Sequence, residues 1–522
     1  MVFKGRTVLA FVILAILASS VVTVLLLDSG SGFTSLLGNR GQWGGYADSP
    51  LPSHAAKNGP ADDGLSEAEL KKIDTAYRLI AEKYYLPVDR EKVVDGAIHG
   101  MLSALDDPYS AYMNKEEAKR YEENVDAYFT GIGAEVMLEN GNVTVVSPIK
   151  GSPAEKAGIQ AKDVIISVNG EKLEGLKLSD AVAKIRGPKG TQAKLEIMRP
   201  GRTDRIEVIV VRDEIDIETV FAQMLPGGYG DIVISQFSGN TVERFQEELD
   251  NLEKKGMEGL IIDVRNNPGG YLLGVLEIIE PLVPKGKTLV QVEDASGDIK
   301  KTVSKGEGKN YPIVVLTNEG SASASEILAG ALSQSAGATL VGEKTFGKGT
   351  VQTTYTKEFQ DGSELKLTIA KWLTPDGTWV HGKGIAPDIA VSQPDYFKAT
   401  PIDRSTAIKR DQNGDAVKNL QLILSGVGFD PGRKDGYFDE KTEAAVKKFQ
   451  QKLGLPADGV VDEKTADALE QAIIKVVRDP KNDRQLQKAI ETLQRETSGQ
   501  PVSFTGISTF VQDFKLKLSN VG

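Results

Sequence analysis

Cysteine is absent from the 522-residue chain. Its absence excludes cysteine nucleophiles, disulfide frameworks, thiolate metal sites and anchoring through a lipid-modified cysteine. Histidine is nearly absent: only His54, His99 and His381 occur, and HExxH does not. No histidine-rich metal centre is expected, and no cofactor is implied. The phosphate loop GxxxxGK[ST] is also missing, so nothing points to energy-driven unfolding of a substrate. Basic residues are the minority, 62 Lys+Arg against 73 Asp+Glu, which gives a net charge of -11. A broad basic surface for nucleic acid is therefore not expected. What remains is an ordinary globular composition, 40% hydrophobic and 26% charged. At roughly 100–200 residues per domain, it predicts about three to five domains.

The longest apolar run lies at the start. Lys4 and Arg6 precede uncharged residues 8–27, about the length of a bilayer-spanning helix. Basic residues before the run predict a cytoplasmic tail over 1–7, a signal anchor over 8–27 and an extracytoplasmic remainder, a single-pass membrane protein. Cleavage near Ala18-Ser19-Ser20 is the rival reading. Residues 28–63, rich in Gly, Ser, Pro and Asn, read as a flexible linker.

Residues 64–126 turn helical. Ser66 and Glu69 form a candidate capping box, and Leu70, Ile73, Tyr77, Ile80 and Tyr84 follow at spacings of three and four. A second helix, bearing His99, is expected near 93–105. From Phe129 the period changes to two. Residues 127–212 read as a hairpin around Asn140-Gly141, a short helix from Pro153, the strand DVIISVNG, the helix KLSDAVAKIRG and a last hairpin. This segment resembles a PDZ domain of the bacterial protease-associated type, in FTGIGAEV, GSPAEKAGI and DVIISVNG. An open strand edge and a Gly-containing loop suit capture of an extended peptide and its terminal carboxylate. Gly131, Ile132 and Gly133 would form that loop, although a plain tight turn would use the same glycines. Arg186, after the PDZ helix, is a candidate for coupling peptide capture to the neighbouring domain. A solvated surface arginine is the alternative.

Residues 213–400 alternate strands and helices, which predicts a mixed α/β core. Residues 411–474 hold an internal echo: Asp435-Gly436-Tyr437-Phe438-Asp439-Glu440-Lys441-Thr442 is matched by Asp458-Gly459-Val460-Val461-Asp462-Glu463-Lys464-Thr465. In each copy an Asp is placed to cap a helix. The unit resembles the three-helix peptidoglycan-binding module of cell-wall enzymes, which implies a protein of the bacterial cell envelope; a small helical packing or dimerisation unit is the alternative. A helix is expected over 475–497, and 498–522 carries no readable pattern.

The sharpest chemical signal is PIVVLTNEGSASASEILAGAL. An apolar strand stops at Thr317, three serines separated by alanines follow, and a helix begins. A serine there is rigidly exposed beside the positive end of a helix. The pattern is not GxSxG, so a histidine triad is not imported, although His381 stands in the same domain. A serine can instead be activated by a neutral lysine, whose amine must be brought down from ~10.4 by burial or nearby positive charge. GEKTFGKGTVQ offers Lys344 and Lys348. Glu343 adjoins Lys344 and would favour the charged amine, so Lys348, between two glycines, is the better candidate.

Here the chain is similar to the carboxyl-terminal processing peptidases, or tail-specific proteases, of the Ser–Lys class. The similarity covers about residues 65–394 and rests on LDDPYSAYM, IDVRNNPGG, GSASASEI, GEKTFGKGTVQ and GIAPDI. It implies a multidomain α/β protein: a ClpP/crotonase-like protease core with a PDZ domain, helical N- and C-terminal regions and the three-helix wall-binding module. It also implies Ser323 as nucleophile, Lys348 as general base and Gln352 as the residue that holds the lysine. Residue patterns alone would not choose among Ser321, Ser323 and Ser325. An oxyanion hole from a glycine of the 266–270 turn, Gly269 or Gly270, and the amide of Ala324 is implied too, as is assembly as a homodimer. The expected activity is hydrolysis of peptide bonds in proteins with free or flexible C-termini. Two rivals are a non-catalytic PDZ and wall-binding scaffold and a peptidoglycan hydrolase.

Overall fold

The computed structural model describes residues 64–497 apart from positions 140, 150, 203 and 405. The expected anchor, linker and tail over 1–63 and 498–522 lie outside the described residues. Among the described residues no helix is long and apolar enough to cross a membrane.

Helices α1 (Glu67–Lys83) and α2 (Arg90–Ser103) open the described residues. The Ser66–Glu69 capping box closes on itself, with the Ser66 N–H donating to Glu69 Oε2 at 2.9 Å. Leu70, Ile73 and Ile80 on α1 remain exposed. His99 is exposed on α2, with its ring edge-on to Tyr112. Strand β1 (Ala111–Met113) and helix α3 (Lys115–Val125) lead to the PDZ unit.

That unit is rooted by two antiparallel strands, its first and last. In chain order its elements are β2 (Tyr128–Gly131), β3 (Ala134–Glu139), β4 (Asn142–Pro148), α4 (Pro153–Lys156), β5 (Val164–Val168), β6 (Glu171–Lys172), α5 (Leu178–Ile185), β7 (Gln192–Met198), β8 (Ile206–Val211) and β9 (Asp213–Asp216). The order β3-β4-β5-β7-β8 forms a sheet, and β2 pairs with β9. Val143, Ile165, Leu195 and Ile197 alternate inward to bury one face.

The protease-like core follows: β10 (Val220–Leu225), β11 (Tyr229–Ile234), α6 (Thr241–Lys254), β12 (Gly259–Asp263), α7 (Leu272–Ile279), β13 (Thr288–Asp294), β14 (Ile299–Val303), β15 (Ile313–Thr317), α8 (Ala324–Ala336), β16 (Thr339–Gly342), β17 (Thr350–Tyr355), β18 (Glu364–Leu373) and β19 (Ile389–Ala390). The sheet β10-β11-β12-β15-β16-β19 is parallel from β11 onward. Parallel strands need crossovers, which the helices supply. A second, antiparallel sheet joins β1, β18, β13 and β14, with β17 also on β18. Leu260 and Ile262 face helices α6, α7 and α8, whereas Ile261 faces the opposite side.

Three helices, α9 (Asp415–Gly426), α10 (Glu440–Leu453) and α11 (Glu463–Val477), form the small C-terminal unit around Leu420, Phe438, Val446 and Leu469. The internal echo has a structural basis. Gln421 accepts the Gly436 N–H (2.9 Å) and donates to the Tyr437 carbonyl (2.9 Å). Gln450 repeats this with Gly459 (3.0 Å) and Val460 (2.9 Å). Asp439 and Asp462 cap α10 and α11 as expected. The last helix among the described residues, α12 (Arg484–Thr497), returns to the parallel sheet. Leu486, Ile490 and Leu493 cover Ile261, Val314 and Val341, burying roughly 1.5–3 kcal/mol per side chain.

Candidate active site

Strand β15 delivers its chain to a sharp bend at the start of α8. The three serines there have different fates. Ser321 Oγ–H donates to the Val264 carbonyl at 2.7 Å, and Ser325 Oγ–H to the Asn267 carbonyl at 2.8 Å. Both hydroxyls therefore tie the bend to the turn after β12. Ser323 is the capping position of α8 and holds φ at 54° and ψ at -111°. An L-residue rarely adopts this conformation, and it persists only where surroundings over-determine it.

Those surroundings centre on Glu326, whose carboxylate is buried and accepts four hydrogen bonds. Oε2 takes the main-chain N–H of Ser323 (2.9 Å) and of Lys348 (2.8 Å). Oε1 takes Thr345 Oγ–H (2.6 Å) and the Gly347 N–H (2.7 Å). One oxygen thus holds both main chains within two hydrogen-bond lengths. Burial raises the Glu326 carboxyl above its ordinary range, against the pull of these donors. Gly347, with φ at 94°, is needed for the close approach, since a Cβ there would meet the Gly384 nitrogen at 2.8 Å.

Lys348 is buried, whereas Lys344 is exposed. Burial pushes the Lys348 amine down to about 7, and the charge of Lys366 pushes the same way, while Asp107 and Glu326 oppose it. Lys366 is itself buried and brought down to about 8. The Lys348 Nζ stands 5.1 Å from the Tyr109 ring centroid, and its carbonyl accepts the Trp372 indole N–H at 2.9 Å. Gln352 is buried beyond it on β17. Its amide nitrogen donates to Thr350 (2.9 Å) and Thr368 (3.0 Å), which orients the amide oxygen. His381 accepts from the Gly349 N–H through Nδ1 at 3.4 Å and stacks on Trp379.

The turn after β12 faces the serine bend. The Gly269 N–H is taken by Asn267 Oδ1 at 2.8 Å, and the Gly269 carbonyl accepts the Phe237 N–H at 2.9 Å. The bridge to Phe237 continues through the Tyr271 N–H and leaves the Gly270 N–H out. Of the two glycine candidates, Gly270 thus has its donor uncommitted in this bridge. A Cβ at Gly270 would lie 1.9 Å from the Phe237 carbonyl oxygen. The Ala324 N–H, at the first position of α8, has no intrahelical acceptor.

In the PDZ unit, Gly131 ends β2, Ile132 is buried in the core, and the Gly133 carbonyl accepts the Ser152 hydroxyl at 2.8 Å. Arg186 lies 4.7 Å over the Phe129 ring and pairs with Glu123 of α3 at 3.6 Å. Its charge partner is therefore on the helix before the PDZ unit, not in the α/β core. Three residues on, Asp126 accepts the Tyr271 hydroxyl at 2.5 Å, directly beside the Gly270 turn. Asp126, Tyr271, Glu326, Lys366 and Asp107 were not singled out by sequence. Among the described residues no cluster is able to hold a metal ion.

Residues 228–391 match the model of Peptidase family S41. The chain is 47% identical over 466 residues to the carboxy-terminal processing protease CtpB of Bacillus subtilis (strain 168), covering 88% of this chain and 96% of that protein. The chain belongs to this family of carboxy-terminal processing serine proteases. The protease is also 44% identical to CtpA of the same organism over 84% of this chain and 93% of that one. Residues 39–117 match the activating protease CtpB N-terminal domain, 144–199 a PDZ domain and 413–469 a putative peptidoglycan binding domain. Among solved structures, the photosystem II D1 C-terminal processing protease is 29% identical, covering 63% of this chain and 94% of that one at a TM-score of 0.38.

Proposed function

We propose that the protease is a membrane-anchored, extracytoplasmic endopeptidase working through a Ser323–Lys348 dyad. The observation that carries the reading is the shared Glu326 oxygen, which joins the strained Ser323 to a lysine whose amine is brought to about 7. Neutral Lys348 takes the hydroxyl proton as Ser323 attacks the peptide carbonyl carbon. The developing oxyanion is received by the Ala324 N–H and a glycine N–H of the 266–270 turn, Gly270 rather than Gly269. Protonated Lys348 then hands its proton to the leaving amine, and the resulting acyl-enzyme is hydrolysed by water activated by the same amine. Gln352 offers its oriented amide oxygen to the ammonium.

The PDZ unit captures a free or flexible peptide C-terminus through the 131–133 loop. Its position reaches the catalytic turn by way of Arg186–Glu123 and Asp126–Tyr271. The 411–474 module holds the enzyme at peptidoglycan, and residues 8–27 hold it in the membrane. The exposed Leu70, Ile73 and Ile80 stripe supports assembly as a homodimer. The test incubates the parent, Ser323→Ala and Lys348→Ala with casein and follows fragments by mass spectrometry. Cleavage by the parent alone is expected, and equal cleavage by all three would remove the dyad. Absence of cleavage even with added C-terminal peptides would favour a scaffold.

A further inference from the structure

The wall module is not a terminal appendage of the fold. The chain leaves the parallel sheet after β19, builds α9 to α11, and returns to the same sheet as α12. Its departure and return are fastened to each other at one point. Gln393, just past β19, donates to Asp483 at 2.6 Å and accepts the Arg484 N–H at 3.1 Å, and Gln485 donates to the Val391 carbonyl at 2.8 Å.

The same Asp483 carboxylate takes both terminal nitrogens of Arg265, at 3.0 and 2.9 Å. Arg265 is partly buried there between Asp483 and Asp263, which accepts its Nε at 2.9 Å, one terminal nitrogen at 2.6 Å and its main-chain N–H at 2.9 Å. Charge-assisted bonds of this kind fix a planar guanidinium in both position and orientation. Two residues further on is Asn267. Its side chain holds the Gly269 N–H, and its carbonyl receives the Ala322 N–H (3.0 Å) and Ser325 Oγ–H (2.8 Å). Arg265 therefore stands at the root of the segment that binds the oxyanion turn to the serine bend. Its second carboxylate comes from beyond the wall module.

We propose that Asp483 is a positioning residue of the active site: through Arg265 it sets the 265–270 turn, and so makes the wall module's return helix part of the catalytic apparatus. The proposal rests on the Ser323 reading. Losing Asp483 leaves the guanidinium held by Asp263 at Nε and Nη2 and by Gln485 at Nη1 (3.0 Å), without its second carboxylate, and so loosens the seat from which the chain runs on to Asn267. A shift well under 1 Å in this turn would weaken transition-state donors while leaving the PDZ groove untouched. The effect belongs in kcat rather than KM.

The test uses the full chain and steady-state cleavage of a peptide with a free C-terminus, comparing the parent, Ser323→Ala, Asp483→Asn, Asp483→Glu and Leu493→Ala. Asp483→Asn should lower kcat about tenfold to a hundredfold with KM changed less than about twofold. Asp483→Glu keeps the charge, and with it the docking of α12, but pushes the guanidinium off its seat. It should lose kcat about threefold or more at the parent's Tm. Leu493→Ala, which loosens the same helix away from the carboxylate, should lower Tm and keep the parent's kcat below its transition. Parental kcat in Asp483→Glu and in folded Asp483→Asn, with Ser323→Ala inactive, would overturn the proposal alone. So would kcat losses that track Tm equally in Asp483→Asn and Leu493→Ala. A Ser323→Ala chain as fast as the parent would sink the dyad and this proposal with it.

Discussion

The catalytic core and the wall module solve one geometric problem with different chemistry. Each has to hold glycine-containing turns against a helix by side-chain hydrogen bonds from the interior. The module does so twice with a neutral amide, Gln421 and Gln450, each placed under a turn and bonded to a threonine at the next helix start. The core does it with a buried carboxylate, Glu326, beside two buried lysines. Neutral clamps avoid the several kcal/mol of desolvation that a buried ion carries. Ionisable groups kept in the interior where a neutral clamp would fit point to chemistry rather than to folding alone. On the proposed dyad, the contrast separates a turn that must only keep its shape from one that must also move a proton.

The largest expected effect tests the chemical side of this contrast. Replacing Ser323 or Lys348 by alanine should lower kcat/KM about 10⁴-fold or more in the peptide assay, with the fold intact by circular dichroism. Next, Glu326→Gln imposes the module's solution on the core. A glutamine has one acceptor oxygen where Glu326 uses two for four donors, so the Ser323 and Lys348 main chains lose their common anchor. We expect kcat to fall about a hundredfold. Full activity in this variant would erase the distinction between the two clamps.

The effect of Lys366 is smaller and shows in the pH profile. Lys348 is brought down chiefly by burial and further by the Lys366 charge. Lys366→Met removes that charge, so the ascending limb of kcat/KM should move to higher pH. Stability has its own sign. Lys348 binds its proton more weakly in the folded than in the unfolded chain, so between pH 7 and 10.5 the unfolded state binds more protons. Stability therefore rises with pH across that window, and the penalty is fully present below pH 7. Lys348→Met should accordingly raise Tm at pH 7 by about 2–4 °C in a thermal melt, while abolishing activity. The mildest prediction concerns the module. Gln450→Leu should destabilise it by about 1–3 kcal/mol in denaturant titration and leave cleavage of a soluble peptide unchanged.

The legible parts of the sequence were those carried by neighbours in the chain. The strand-to-helix bend around Ser323, the Ser66 capping box, the glycines about Lys348 and the doubled Asp-Gly turn all depend on residues within a few positions of one another. What escaped depends on distant partners. Lys366 and Glu364 occupy the buried phase of β18 while Leu365 and Leu367 take the other, so ordinary alternation points the wrong residues inward. Gln421 and Gln450 serve turns 15 and 9 positions away and look like any polar helix residue. Asp483 meets Arg265 across 218 positions, with a whole module between them. Nothing local marks that pairing. The bonds that set Ser321 and Ser325 apart from Ser323 likewise need the carbonyls of Val264 and Asn267, which only the folded sheet brings near.

The most direct measurement is the pH dependence of kcat/KM for peptide cleavage by the parent chain from pH 5.5 to 9, beside Ser323→Ala and Lys348→Ala. A buried neutral lysine acting as base predicts activity that rises with pH through a single group titrating near 7, absent from both variants. A flat profile, or comparable activity in Lys348→Ala, would contradict the account.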